Sequence, residues 1–370
     1  MEKIEAQKAN KQNKYFKCKE CAAKLVYQPG SEYQKCEYCG HENPIPQSES
    51  DIKELDFNKY LTDLSQQESS EERLTIKCQE CAAQTTFDQN VTSQECAFCG
   101  THIVSTAQST KQIKPRSLLP FKIDRQQAQT LFRAWIHKLW FAPNDLKQKA
   151  RQDQKINGVY VPYWTFDADT VSVYSGKRGE HYYVTERYSV VVDGKTESRT
   201  RQVQRTRWYH ASGTIWENFN DVLVLASHSL PRKYTERLEP WDLSNLTPYN
   251  ADYLSGFRCE SYNLTLPQGF VCAKKIMDEE IHQLVRNDIG GDEQRIHHVQ
   301  TQHDDVTFKH ILLPIWISSY RYGKKVYRFL INARTGEVQG ERPWSWIKIT
   351  LATVIVLGAV FAVYLFLNAT

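Results

Sequence analysis

The chain has 370 residues, with 47 Lys and Arg against 43 Asp and Glu, and ten cysteines. A net charge of +4 decides nothing about partners by itself. The first twenty residues are rich in Lys, Gln and Glu and hold no apolar core, so no secretory signal is expected there.

Eight of the cysteines form two arrays. Cys18, Cys21, Cys36 and Cys39 follow a Cys-x2-Cys-x14-Cys-x2-Cys pattern, and Cys78, Cys81, Cys96 and Cys99 repeat it sixty residues later. The surroundings repeat as well: Lys17 to Ala23 matches Lys77 to Ala83, and Cys36 to Gly40 matches Cys96 to Gly100. Two thiolate pairs complete a tetrahedral site with no open position for substrate, the chemistry of a structural zinc ribbon. A disulfide framework would need an oxidising compartment, which the missing signal argues against. The expectation is two structural zinc ions, one in each ribbon, over residues 1–45 and 73–104. Such sites contribute on the order of 10–16 kcal/mol, so metal and fold are inseparable in a module this small. Gly40 and Gly100 suit the left-handed backbone of a metal knuckle. His41 and His102 lie just past each array, whose four cysteines already fill the shell.

Residues 46–72 read as an acidic linker. Ile52, Leu55, Leu61 and Leu64 could make an apolar helical stripe around Phe57 and Tyr60. Two readings stay open there, a solvated linker and a helix that docks on a ribbon or a partner. Residues 105–115 form a second polar linker, and the polar linkers would let the ribbons, the natural contact surface for partners, reach away from the bilayer.

From 116 to 343 the composition is that of an α+β domain. Asp124 is a good N-cap, followed by Ala128, Leu131, Phe132, Trp135, Ile136, Leu139 and Trp140 at helical spacing, with Pro143 ending the element. A more polar helix is predicted over Asp145 to Gln154, and a strand over Val159 to Phe166. The unit recurs: a helix from Gly269 to Asn287, then a strand from Lys309 to Tyr322. Val161-Pro162-Tyr163-Trp164 and Leu313-Pro314-Ile315-Trp316 hold matching places, and Tyr174 to Lys177 and Tyr322 to Lys324 read as turns after them. A duplicated helix-plus-antiparallel-sheet unit is expected. Asn332 to Glu337 reads as a hairpin turn between Tyr327–Ile331 and Val338–Gly340.

Between the two units, Arg199, Arg201, Arg205 and Arg207 alternate with Thr200, Gln202, Gln204 and Thr206. In an extended strand all four arginines and Val203 share one face. Tyr188 to Asp193 and the turn at Gly194 predict a hairpin. The arginine face is either a solvated edge or a surface for anionic headgroups or an acidic partner. Trp208 and Tyr209 alone are thin evidence for stacking on nucleic acid.

Catalytic candidates are weak. Asp167 and Asp169 project together from a predicted strand end beside Lys177 and Arg178, where ion pairing or turn capping outweighs acid/base work. His297, His298, His303, Asp304 and Asp305 fall in a polar stretch that reads as a solvated loop. Cys259 and Cys272 read as buried thiols.

Ile349 to Leu367 carries no charge. As a helix it spans about 28 Å, close to the hydrocarbon thickness, and its insertion is favourable by about 4–7 kcal/mol. Trp344, Trp346 and Tyr364 sit where interfacial aromatics belong, and Arg342 and Lys348 vote for a cytoplasmic near side. Only Asn368 to Thr370 follow, so a single-pass tail anchor over 344–370 is expected, with the ribbons in the cytoplasm.

The combination of tandem four-cysteine ribbons, Leu118-Leu119-Pro120-Phe121, the block from Val161 to Asp169, Gly176-Lys177-Arg178-Gly179 and the apolar C-terminus resembles a bacterial family of zinc-ribbon membrane proteins. Members are often labelled primosomal protein N′ or DNA helicase-like. It is also similar to the zinc-ribbon membrane component of a phage-shock-like operon. That resemblance implies membrane attachment, envelope stress and recruitment of a phage-shock-protein-A-like remodeller. The helicase label fails on the residues: no Gly-x4-Gly-Lys-Ser/Thr loop exists to hold phosphates. The reading is a non-enzymatic adaptor at the cytoplasmic membrane. The rival is a membrane-tethered nucleic-acid binder, disfavoured because the second ribbon carries few bases, Lys77 beside the acids Glu80, Asp88 and Glu95.

Overall fold

A computed structural model describes residues 17–47, 52–63, 113–146, 156–192, 195–322 and 325–369, with the backbone of short strands between 70 and 112. The N-terminal module is an antiparallel sheet of β1 (Leu25–Tyr27), β2 (Tyr33–Cys36) and β3 (Glu42–Pro44). Next come β4 (Leu55–Asp56) and helix α1 (Phe57–Asp63). Strand β5 (Ser70–Lys77) pairs with β6 (Gln84–Thr86), and β7 (Gln94–Glu95) with β8 (His102–Ile103). β9 (Gln108–Ile113) then pairs with β5, so part of the predicted 105–115 linker is strand.

The sixty-residue repeat extends to the backbone. Lys77↔Gln84 copies the bridge Lys17↔Lys24. Gln94↔Ile103 and Glu95↔His102 copy Gln34↔Asn43 and Lys35↔Glu42. Cys78, Cys81, Cys96 and Cys99 lie outside the described residues, as do Leu64 and residues 147–154 of the predicted second helix.

The body is mixed α+β, and its duplication is visible bond by bond. The first copy runs β10 (Ser117–Leu118), α2 (Arg125–Lys138), β11 (Asn157–Val192), β12 (Lys195–Leu225). A short strand β13 (Thr247–Pro248) intervenes. The second copy runs β14 (Arg258–Cys259), α3 (Leu266–Ile289), β15 (Glu293–Tyr322), β16 (Lys325–Asn332), and β17 (Val338–Gly340) closes the edge. β11 and β15 pair antiparallel with Val161 opposite Leu313, so the two Pro-containing motifs meet at a local two-fold axis. Each copy's first strand lies parallel on the other copy's long strand: Ser117↔Ile311 and Arg258↔Val159. Proline donates no ladder bond, and both prolines act as acceptors instead. Ala226 N donates to Pro162 O and Ala333 N to Pro314 O.

Both long body helices open on a capping box, Asp124 with Gln127 and Thr265 with Gln268, which satisfies amide donors that a helix start leaves free. α2 buries Ala128, Phe132 and Ile136, and the Phe132 ring stacks on Phe329 at 3.7 Å. The predicted stripe ends early: the helix stops at Lys138, and Trp140 lies beyond it, 79% exposed. α3 buries Ala273, Met277, Ile281, Val285 and Ile289 along one face, against Trp164, Phe166, Phe219 and Phe308. Gly269 is required by close approach: a Cβ there would lie 2.8 Å from Trp164 Cδ1.

Two predicted strand boundaries shift. β11 does not stop at Phe166 but continues to Val192, so Tyr174 to Lys177 is strand interior rather than a turn. β15 begins at Glu293, not Lys309, which places His297, His298, His303, Asp304 and Asp305 in a strand instead of a loop. The cause is common to both. This part of the sheet carries polar residues on its faces, so the apolar alternation that marks a half-buried strand is absent. β11 and β12 stay paired to Val192↔Lys195, whereas β15 accompanies β11 only to Gly179↔Glu293. Residues 180–192 and 195–207 therefore form a two-stranded arm about 40 Å long.

The chain ends in α4 (Trp346–Ala369). Its segment Trp346–Leu367 is long and apolar enough to cross a membrane, with a mean hydropathy of 2.5 and none of that window buried.

Candidate metal centre and its surroundings

Cys18 and Cys21 sit on the turn before β1. Cys36 ends β2, and Cys39 follows on the next turn. The two turns share one hydrogen-bond pattern. Cys18 N donates to Ala23 O and Ala22 N to Cys18 O; Cys36 N donates to His41 O and Gly40 N to Cys36 O. Both need a left-handed residue, supplied by Ala22 (φ 59°) and Gly40 (φ 75°). These bonds aim all four sulfurs inward, within 4.8 Å of one another. Cys18–Cys39 is 3.6 Å and Cys21–Cys36 is 3.5 Å. Four thiolates 2.3 Å from a tetrahedral zinc would lie about 3.8 Å apart, so the donor set fits that ion.

Asn43 supports the cluster from behind. Its Nδ2 lies 3.8 Å from Cys18 Sγ, and its Oδ1 accepts from Lys19 N at 3.1 Å. Burial works to raise the Cys18 thiol, but the Cys21 and Glu20 amides, Cys39 and Asn43 outweigh it and bring it down to about 6. A thiolate is the form that binds metal. Among the described residues, these cysteines are the one group of three or more candidate ligands that converges.

The first module does not swing on a linker. Tyr27 is buried and its hydroxyl donates to Phe121 O, while Tyr27 N donates to Ser255 O. Gln34 Nε2 donates to Asp252 O at 2.8 Å, and Gly30 N to Phe121 O at 2.8 Å. Gly256 (φ 87°) lets Val26 approach so closely that a Cβ there would clash at 2.4 Å. The expectation of a free-reaching first ribbon is thus corrected: polar residues flank it, but its outer sheet face is apolar and shares the body's core.

Within the predicted 46–72 linker, the described residues 52–63 also dock, on the body rather than on a ribbon. β4 pairs with β15 through Leu55↔Phe308, and Phe57 packs against Phe166, Phe270 and Phe308. Glu54 and Asp221 hold the buried Lys309 ammonium at 2.9 and 2.8 Å. Asp167 stands beside them at a bulge, accepting from Asp221 N and Thr307 Oγ1. Burial, then the neighbouring Glu54 carboxyl, push Asp167 up to about 6, while Asp167 and Lys309 hold Glu54 low. This network was not legible in the sequence, because Glu54 and Lys309 are 255 residues apart.

The remaining candidates separate. Asp169 accepts from Asn218 and is exposed, on the far side of the bulge from Asp167. It makes no acid/base pair with Asp167, and neither stands at a strand end. Lys177 and Arg178 lie further along β11, with Arg178 paired to Glu180. His297 and His298 are adjacent and exposed at a bulge in β15, flanked by Ile296 and Val299, which both pack towards the α3 core. His303 packs at 6.0 Å from the Phe270 ring, and burial lowers its pKa. Cys259 is buried and Cys272 partly so.

Arg199, Arg201, Arg205 and Arg207 fall on one face of β12, as alternation requires, and all four are exposed. Their charge is partly spent locally. Arg201 and Arg205 share Glu186, Arg199 pairs with Glu197, and Arg207 lies 4.9 Å over the Tyr182 ring.

No family model matches the chain, and no solved structure matches it. Among curated proteins, the uncharacterized protein YdjG of Bacillus subtilis (strain 168) is 27% identical over 253 residues, which cover 67% of this chain and 70% of that protein.

Proposed function

We propose that the chain is a membrane-anchored, non-enzymatic adaptor. In this reading it carries two structural zinc ribbons, spans the cytoplasmic membrane once through α4, and recruits protein partners on the cytoplasmic side. The observation that carries it is the closed four-sulfur cluster, which leaves a metal no coordination position for substrate, in a chain whose opposite terminus is an unburied apolar helix. The second zinc rests on the strand pairing that repeats with the same sixty-residue offset as the cysteines. A role in envelope stress, with a phage-shock-protein-A-like partner, rests on the family resemblance.

Geometry favours the arm as the recruiting element. Ser345 N donates to Phe141 O at the entry to α4, and Tyr322, at the C-terminal end of β15, donates to Asp145 in the same loop. The 30-residue β15 then runs away from that point along a path of about 100 Å. The arm continues beyond it, so its arginines stand remote from the bilayer that α4 would cross. An acidic protein surface suits them better than headgroups. The test is affinity purification in detergent of the intact chain beside one with all four arginines changed to Gln. Loss of captured partners in the variant is expected. An unchanged partner set removes the arm from the proposal, and salt-dependent, sub-micromolar DNA binding would replace the adaptor reading with the nucleic-acid one.

A further inference from the structure

The loop after α2 is pinned to the entry of α4. Lys348 Nζ donates to Trp140 O at 3.1 Å and to Ala142 O at 2.8 Å. Phe141 and Trp344 face each other at 6.5 Å, and Arg342 lies 4.2 Å over the Trp344 ring. Trp140, Trp344 and Trp346 are all more than half exposed at this one level. Three solvent-facing tryptophans are unusual on a water-exposed surface, and tryptophan is enriched where a bilayer meets water.

Between the loop and the helix lies an apolar cavity of about 490 Å³. Ile136, Leu139 and Leu146 form one wall, and Leu351, Ala352 and Ile355 form the other. At 1.5 Å per residue, Leu351 and Ile355 lie about 5 and 10 Å past Lys348. If the Lys348 ammonium sits at the headgroup level, the groove opens onto the outer part of the hydrocarbon. We infer that this groove holds an acyl chain of a bilayer phospholipid, and that the loop from Leu139 to Leu146 is seated in the membrane interface beside the span. The inference rests on reading α4 as a transmembrane helix. Its size falls in the range of small-molecule pockets, about 300–1,000 Å³. His137 and Lys348 also line the cavity and supply the groups that a lipid phosphate would meet.

The seating would hold the body at a set orientation, since the same loop is tied to β15 by Tyr322. The test uses the full chain in nanodiscs that contain phosphatidylcholine with a diazirine in one acyl chain. Photoadducts are mapped by peptide mass spectrometry. Adducts are expected on residues 136–146 as well as on α4. Ala352→Phe fills the groove from the helix side without adding charge. It should abolish the adducts on 136–146 and leave those on α4. Adducts confined to α4 overturn the groove while keeping the span. A chain that fails to incorporate, with no adducts anywhere, overturns the span itself. Recovery of tightly bound free fatty acid in place of phospholipid adducts overturns the assignment to a bilayer lipid.

Discussion

Trp164 and Trp316 are equivalent across the local two-fold axis of the sheet. Trp164 Nε1 donates to Leu264 O at 2.9 Å, and Trp316 Nε1 to Ile123 O at 2.8 Å. Each acceptor immediately precedes a helix N-cap, Thr265 or Asp124. The indole thus fixes where each helix leaves its sheet. The same relationship explains why a Pro-x-Trp motif recurs: the tryptophan couples its strand to the start of a helix.

Replacing either tryptophan with phenylalanine keeps most of the apolar bulk and leaves a buried carbonyl unpaired. Trp164→Phe should destabilise the chain by about 1–3 kcal/mol, measured by urea unfolding in detergent. Trp316→Phe should cost a similar amount. A loss confined to one of the two would show that the copies are not energetically equivalent.

Elemental analysis of the purified chain should give about two zinc ions, one for each array. Cys18→Ser should remove one, and Cys78→Ser the other. Asn43→Leu tests the support behind Cys18. It should lower zinc affinity in the first site by about 10–100-fold, read by chelator competition, with the second site unaffected. Loss of both ions on Cys18→Ser would mean the arrays share a single site.

The buried Lys309 network makes a pH prediction. Asp167 is raised from 3.8 to about 6 in the folded chain, so the folded state holds its proton more tightly than the unfolded state. Its contribution is fully present below about pH 4 and is lost as pH rises to about 6. Asp167→Asn should remove that slope and stabilise the chain by roughly 1–2 kcal/mol at pH 7. Glu54 works in the opposite sense. Its pKa is held low, so its stabilisation is present above the unfolded value near 4.5 and fades as pH falls below it. Lys309→Met should leave the partly exposed Glu54 and Asp221 carboxylates without their cation, at a cost of about 1–3 kcal/mol. It should also release residues 52–63 to hydrogen exchange, whereas a purely local defect would leave that segment protected.

What the sequence made legible follows from how local each signal is. The cysteine arrays, the Asp124 cap and the apolar run from Ile349 are read within a turn or two of chain, and the first array does converge. The Pro-x-Trp repeat was readable because two copies could be compared. What escaped was non-local or lacked contrast. Nothing near Tyr27 or Val26 distinguishes a strand that packs on residues 253–257 from one that faces water. Glu54 looked like one acid among several in a linker until Lys309 was placed beside it. The long strands were cut short because polar residues such as His297, Gln300 and Thr301 and the bulge at His297 break the apolar alternation.

The arm makes the sharpest separation between stability and recruitment. Past Glu180↔Arg207 it has two strands and no third among the described residues, and an isolated two-stranded ribbon is marginal in water. Its cross-strand contacts, Glu186 with Arg201 and Arg205 and the tyrosine–arginine stacks, lie in water and are screened, so they add little stability. Joining Tyr182 to Arg205 by Asn-Gly, in place of residues 183–204, should therefore leave the unfolding midpoint of the body within about 2 °C. Amides of 183–204 in the intact chain should exchange faster than those of Thr165 to Val173, which have strands on both sides. The shortened chain should still enter membranes and still bind zinc. If it also keeps every captured partner, recruitment lies elsewhere on the body, and the nearest alternative is the exposed rim of the first module around Tyr38, which is 86% exposed.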